Sequence, residues 1–385
     1  MPEITPVEPD PDNAGVGNNR TICPYRWVKI EATPFAQSLR SLPMCRKKIL
    51  FVKLSLLVLA ALLLFLFAAC RKDRVSSNEV VIWTYDSFNS EWGPGPDVAR
   101  VFEEKTGIKI NWISHGDAGE ILARLLLEGK NAGADIILGL DQNLAPRILD
   151  SGLLEAYRPK GAENILSELV LDSDFRLTPV DYSYFAIVYD SEKLPSPPRS
   201  LEDLTASQFR RSIILMDPRT SSPGLGFFSW VKEVYGEGWK DYWQRLAPSI
   251  LTIADGWSSG YGLFTRGEAP MVLSYTTSPG YHLEYEETER YKAAIFTDGH
   301  ALQIEAAGLL QAAKNKDNAK VFLDFMLTED FQNIIPLTNW MYPVTDIPLP
   351  PSFRINPKSD KPLRPGPVTE AELNEWAALM LRALQ

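Results

Sequence analysis

The sequence predicts an α/β fold with mixed sheets, laid out as two lobes joined by crossing segments. Three observations carry this. From Val80 onward, short β-branched runs alternate with amphipathic segments. A long alternating run at 180–189 (VDYSYFAIVY) is suited to carry the chain from one lobe to the other. Beyond it the alternation of strand and helix begins again.

Taken in order, 80–85 reads as a strand, 94–105 as a helix stopped by Gly107, and 108–113 as the next strand. A helix over 118–129 places Ile121, Leu122, Leu125 and Leu126 on one face, and 134–138 follows as a third strand. After the crossing run come a buried strand at 213–216, helices at 222–235 and 239–246, and a strand at 271–275. Strands at 291–296 and 303–310 lead back, followed by a helix at 318–327 and another around Phe331. Residues 343–367 contain eight prolines, which predicts an extended surface segment, neither helix nor central strand. Thr369 opens a last amphipathic helix, with Glu372 completing a capping-box pattern. The lobes are expected at 78–180 with 297–338, and at 181–296 with 339–385. No repeat of solenoid period is present.

The chain of 385 residues is 45% hydrophobic and 23% charged with 11% aromatics, a globular composition whose length favours more than one domain. A formal charge of −10 argues against coating phosphate backbones, so no nucleic acid is expected as partner. Cysteine occurs only at Cys23, Cys45 and Cys70, so neither a disulfide framework nor a thiolate metal cluster can form downstream.

Hydropathy is concentrated at 54–69 (LSLLVLAALLLFLFAA), preceded by Arg46, Lys47, Lys48 and Lys53. The run is short for a membrane span and reads as a signal peptide over 44–69; an uncleaved anchor is the alternative, and both export the same domain. Phe67-Ala68-Ala69-Cys70 resembles a bacterial lipobox, which implies lipidation of Cys70 and attachment to a membrane, although Phe67 stands where Leu is usual. Residues 1–43 read as a leader or an over-extended gene start and are excluded from the fold. The residues after 69 hold 31 basic and 44 acidic side chains, a net −13.

Several residues could hold a ligand. The segment 217–226 (DPRTSSPGLG) ends a strand and opens a helix, with Ser222 as N-cap and Pro223 in the first turn. Free amides there, with the Ser221 and Ser222 hydroxyls, can cradle a phosphate or carboxylate; a plain helix cap is the alternative. Aromatic residues recur in turn-like contexts: Tyr85 and Trp92, Trp257 and Tyr261, Tyr275 and Tyr281, and Trp340. As a set they suit a flat or cationic ligand. Asp117 reads as a helix cap or as a carboxylate for an amino-bearing ligand. His115, His282 and His300 have no metal spacing and read as exposed or structural. No GxSxG elbow or P-loop occurs, and Gly116-Asp117 lacks the Asn-rich continuation of enzymes that use thiamine diphosphate, so no catalytic constellation is predicted.

These blocks together resemble the thiamine-binding family of bacterial ABC importers, within the type II periplasmic solute-binding proteins. The resemblance spans about 80–349. It is carried by YDSFNSEWGPGP at 85–96, LLLEGKNAGADIILGLDQNL at 125–144, DYSYFAIVYD at 181–190, DPRTSSPGLG at 217–226, GWSSGYGLFTRGE at 256–268, LSYTTSPGYH at 273–282 and NWMYPV at 339–344. It implies two α/β lobes closing on a ligand at a hinge of crossing segments. It also implies ligand contacts from Asp117 and Ala118, where Gly is usual at 118, and from Ser221 and Ser222, where the second is often Thr. Trp257 and the run Tyr275, Thr276, Thr277, Ser278 and Pro279 match further binding positions, and Tyr85, Trp92, Tyr281 and Trp340 match the aromatic wall. The implied function is capture of thiamine or its mono- and diphosphate by a monomer and delivery to an inner-membrane permease with its ATPase. No cofactor is expected.

Two other readings are weighed beside this one. The same fold binds ferric ion or polyamines in relatives. Ferric sites often use adjacent tyrosines, which this chain lacks, and polyamine sites need several carboxylates, of which only Asp117 and Asp181 can be placed. A thiaminase-like enzyme needs a cysteine nucleophile, and none follows Cys70.

Overall fold

A computed structural model of the protein describes residues 78–383. The expected leader, signal segment and Cys70 lie outside the described residues. Within them, no helix is long and apolar enough to cross a membrane.

The described chain forms one hydrogen-bonded path of strands in the order β2-β1-β3-β10-β5-β8-β6-β7. The strands are β1 (Glu79–Thr84), β2 (Lys109–Ser114), β3 (Ile136–Asp141), β4 (Leu154–Glu155), β5 (Thr178–Asp190), β6 (Ile213–Met216), β7 (Ile250–Ala254), β8 (Met271–Tyr275), β9 (Tyr291–Ala294), β10 (His300–Leu310), β11 (Tyr342–Pro343) and β12 (Pro362–Leu363), of which β4 and β12 pair with β10, and β9 and β11 with β5, off that path. β1 runs parallel to β2 and β3, whereas β10 runs antiparallel to β3 and β5, so the sheet is mixed as expected.

The run of alternating residues at 180–189 does cross. The first half of β5 pairs with β10 through Thr178–Tyr184, and its second half pairs with β8 and β9 from Phe185 onward. Its two halves therefore belong to different cores. One core gathers Ile82, Phe102, Ile121, Ile137, Phe322 and Phe331; the other gathers Phe185, Ile214, Phe228, Trp230, Trp243 and Met271. A smaller cluster holds Leu169, Phe175, Ile304 and Val344.

Local signals set most helix ends. The helix Pro94–Thr106 begins with Pro in its first turn and stops at Gly107, whose φ of 71° closes the last turn. The terminal helix Glu370–Ala383 carries the capping box: the Thr369 amide and hydroxyl both donate to Glu372 Oε2, and the Glu372 amide donates back to Thr369 Oγ1. That helix buries Trp376 and Met380 in the second core.

Several elements escape the sequence signals, among them the helix Ala145–Asp150 and β4. β7 and the helices Trp257–Thr265 and Ser278–Glu286 lie where turns or no element were expected. The first of these helices opens Trp-Ser-Ser-Gly and the second Ser-Pro-Gly, first turns rich in residues of poor intrinsic helix propensity, and burial of Tyr261, Phe264 and His282 outweighs that preference. The proline-rich segment is also less uniform than expected. It contains a 3₁₀ turn at Pro351–Ile355 that buries Phe353, and β11 and β12 pair with β5 and β10. Prolines tolerate these places because short edge strands and first turns ask for few amide donors.

One glycine ties the fold to the cleft described below. Gly139 has φ of 102°, and a Cβ there would come within 2.3 Å of the Tyr85 ring. Gly139→Ala therefore combines backbone strain with overlap against a buried ring, and a loss of about 2–4 kcal/mol is expected. A thermal melt indistinguishable from wild type would refute this account.

Candidate functional site

A cleft of about 620 Å³ opens between the two core-bearing halves. It brings together Tyr85, Trp92, Asp117, Ser222, Trp257, Tyr275, Ser278, Tyr281 and Trp340 from the sequence expectations. Ala118, Ser221, Thr276, Thr277 and Pro279 are buried beside the cleft and do not line it.

The reasons are local. Ser221, not Ser222, is the N-cap of the helix Ser222–Tyr235, and its Oγ accepts from the Gly224 amide. The expected cap thus moves by one residue, because the cap must be extended and Ser222 already has helical geometry. Thr277 turns inward to share a hydrogen bond of 3.0 Å with Ser183, while Ser278 faces the cleft.

Asp117 occupies the most unusual position. As N-cap of the helix Ala118–Glu128 it accepts from the Ala118 amide at 2.7 Å through Oδ1. The same Oδ1 accepts from the Ser222 amide at 3.1 Å and from Ser222 Oγ at 3.3 Å, while Oδ2 accepts from the Trp257 amide at 3.1 Å. The N-termini of three helices therefore converge on a single carboxylate. Each end presents free amides and positive dipole, so an anion is favoured there, and a side chain fills that place. Close approach is permitted by Gly119, whose missing Cβ would come within 2.4 Å of the Thr220 carbonyl.

The aromatic walls are held by polar tethers. The Trp257 indole donates to Ser274 Oγ at 2.9 Å, and Ser274 in turn shares a hydrogen bond with Ser278. Its ring stacks on Tyr261 at 4.8 Å with 18° between planes. The Tyr261 hydroxyl meets His282 Nε2 at 2.8 Å, and His282 Nδ1 meets Glu286 at 2.8 Å. Burial lowers the affinity of His282 for a proton, against the pull of Glu286. His282 therefore acts as a buried prop for the stacked pair, and His300 is likewise buried, bonded to the Phe185 carbonyl and the Phe296 amide. Trp92 is exposed at the mouth, 6.3 Å from Trp257. Trp340 has φ of 57°, a left-handed conformation that is uncommon for a bulky residue, and it stacks on Phe353.

Under the rings lies a row of acids that sequence reasoning largely missed. On neighbouring strands, Glu305 stands opposite Asp141 on one side and Asp181 on the other. All three are buried. Tyr85 donates to Glu305 at 2.6 Å, and Asn339 donates to Asp181 at 2.7 Å and to the Tyr85 oxygen at 3.0 Å. Burial raises Asp141 to about 6 despite its hydrogen bonds, and raises Asp181 to about 7. Glu305 is pushed well above the usual carboxylate range by burial and by the neighbouring Asp181. A lone Glu in the apolar strand QIEAAGLL was the available signal; nothing in the sequence placed it opposite two aspartates. Asn339, Met341 and Glu120 also line the cleft without having been anticipated.

Among the described residues, no group of three or more His, Cys, Asp or Glu side chains is placed to hold a metal ion. The arrangement suits a flat, positively charged organic molecule: rings to stack on and acids beneath.

Residues 131–366 match the model of a family described as bacterial extracellular solute-binding protein. The chain is 45% identical to the thiamine-binding periplasmic protein of Brucella abortus, over 82% of this chain and 94% of the relative. It is 40% identical to that of Escherichia coli, over 82% and 98%. A solved structure titled periplasmic thiamin binding protein superposes with a TM-score of 0.74 at 41% identity, covering 80% of this chain and 96% of that one. Solved ferric-ion and spermidine/putrescine proteins share the fold at 19% identity, with TM-scores of 0.62 and 0.63.

Proposed function

We propose a thiamine-capturing role for this chain, which belongs to the bacterial extracellular solute-binding protein family. The observation that carries the reading is the cleft itself, in which rings from four separate segments of the chain face one space above buried carboxylates. Thiamine presents a permanently cationic thiazolium to such rings, each well-placed contact contributing about 0.5–2 kcal/mol. Its aminopyrimidine needs hydrogen-bonding groups, and Asp117, Ser222, Ser278, Glu305 and Asn339 supply them. For the mono- and diphosphate forms, the amides around Ser222 and Trp257 offer an anion seat, for which a phosphate competes with Asp117.

In this reading the protein binds without chemistry. It works as a periplasmic monomer, attached to a membrane through Cys70, and hands its ligand to an ABC importer permease driven by an ATPase. The lobes in this reading are 78–180 with 297–338, and 181–296 with 339–385. Met341 packs with the first core and Ala301 with the second, so packing and these bounds differ by a few residues at 297 and at 339. Closure of the lobes buries the ligand and creates the form the permease recognises.

Calorimetry with thiamine, its monophosphate and its diphosphate tests the reading, with spermidine and ferric citrate as competitors. Micromolar or tighter binding of at least one thiamine form is expected, and silence for all three ends the proposal. Trp257→Ala removes both the ring and its tethered stack on Tyr261, and should weaken thiamine binding by about tenfold or more. Unchanged affinity would remove Trp257 from the site.

A further inference from the structure

We propose that Glu305 selects the aminopyrimidine of the ligand, meeting it as an uncharged carboxylic acid. This rests on the thiamine reading above and assigns a role within the same cleft. Glu305 lines the cleft, and its Oε2 accepts from the Tyr85 hydroxyl at 2.6 Å. Its other oxygen has no hydrogen-bond partner among the described residues. A neutral carboxyl group carries an O–H donor beside a carbonyl acceptor. An aminopyrimidine edge carries the complement, an N–H donor beside a ring nitrogen acceptor, so the two can close a pair of hydrogen bonds.

The fold explains why the proton stays on Glu305. Carboxylates directly opposite one another across strands repel, and Glu305 faces one on each side. Asp141 accepts from the Asn143 and Leu144 amides and from the Asn143 and Gln303 side chains, so negative charge is best held there. Asp181 accepts only from Asn339, and its other oxygen is buried without a partner. Glu305 has one phenol. The remaining ionisable groups near it are Tyr275 on β8 and Asp117 at its helix start, and no basic side chain lines the cleft. β10 is also irregular at this point against both neighbours, with register shifts at Glu305–Ala306 and Ala306–Ala307, a device that re-aims side chains beside sites.

The rival role for Glu305 is an ionised counter-charge for the thiazolium. Titration of wild type, Glu305→Gln and Glu305→Leu with thiamine and with 4′-deaminothiamine, which has hydrogen in place of the exocyclic amine, separates the two. Wild type should prefer thiamine by at least about tenfold. Gln keeps a donor beside an acceptor, so it should hold thiamine within about threefold of wild type, while Leu should lose tenfold or more together with the preference. Equal losses in Gln and Leu would overturn the proposal in favour of the charged role, and a preference retained in Leu would overturn it outright. Should Leu not fold, Gln alone decides: thiamine held within about threefold supports the uncharged acid, and a loss of tenfold or more overturns it. Failure of wild type to bind thiamine at all would be a failure of the functional reading, recognisable because it precedes any variant.

Discussion

Asp117→Ala should weaken thiamine binding by roughly a hundredfold. The carboxylate holds the start of its own helix and, across the cleft, the Ser222 and Trp257 amides that begin two others. Hydrogen bonds to a charged group contribute about 1.5–3 kcal/mol each, and two of these join the halves that must close on the ligand. Their loss, near 3 kcal/mol, corresponds to about two decades of affinity. The same substitution empties the convergence of three helix N-termini, so thiamine diphosphate should lose less than thiamine, and the ratio of their affinities should shift toward the diphosphate by about tenfold. Calorimetry on both ligands reads this directly. A uniform loss for both ligands would show that Asp117 acts only as a clasp and does not compete for the anion seat.

The second large effect is on stability and its dependence on pH. Asp141 and Asp181 have native proton affinities raised to about 6 and about 7 by burial, above the usual value near 4. The native state thus binds protons more tightly than the unfolded chain. The resulting stabilisation is present in full below about pH 4 and is lost as pH rises through 6 to 7. For Asp181 the span of about three pH units corresponds to at most about 4 kcal/mol. Asp181→Asn removes the charge that must otherwise be buried above neutrality. It should therefore raise the melting temperature at about pH 8 and leave it nearly unchanged at about pH 4 or below. Destabilisation of Asp181→Asn at the higher pH would show that an ionised Asp181 is held by Asn339 well enough to offset its burial.

Much of the fold was legible along the chain because its causes are local. Gly107 ends a helix through its own φ, Thr369 and Glu372 cap one through a three-residue spacing, and the alternation at 180–189 marks a strand. The helices at Trp257 and Ser278 were not legible, since their first residues favour turns and only packing overrules them. The aromatic members of the site were readable as a set. Residues flanking them in sequence were not sorted into cleft and interior, because neighbours in a strand or first helical turn point different ways: Ser278 into the cleft and Thr277 away from it.

By itself the sequence determined the periods of the elements, the crossing strand and the choice of ring-bearing segments, all of which follow from interactions within a few residues. Only the tertiary structure decided that Asp117 meets amides 105 and 140 residues away, and that Glu305 lies between Asp141 and Asp181. Strand register and the approach of helix ends are set by how whole faces pack, and a one-residue slip in β10 would turn Glu305 to the other face with every local signal unchanged.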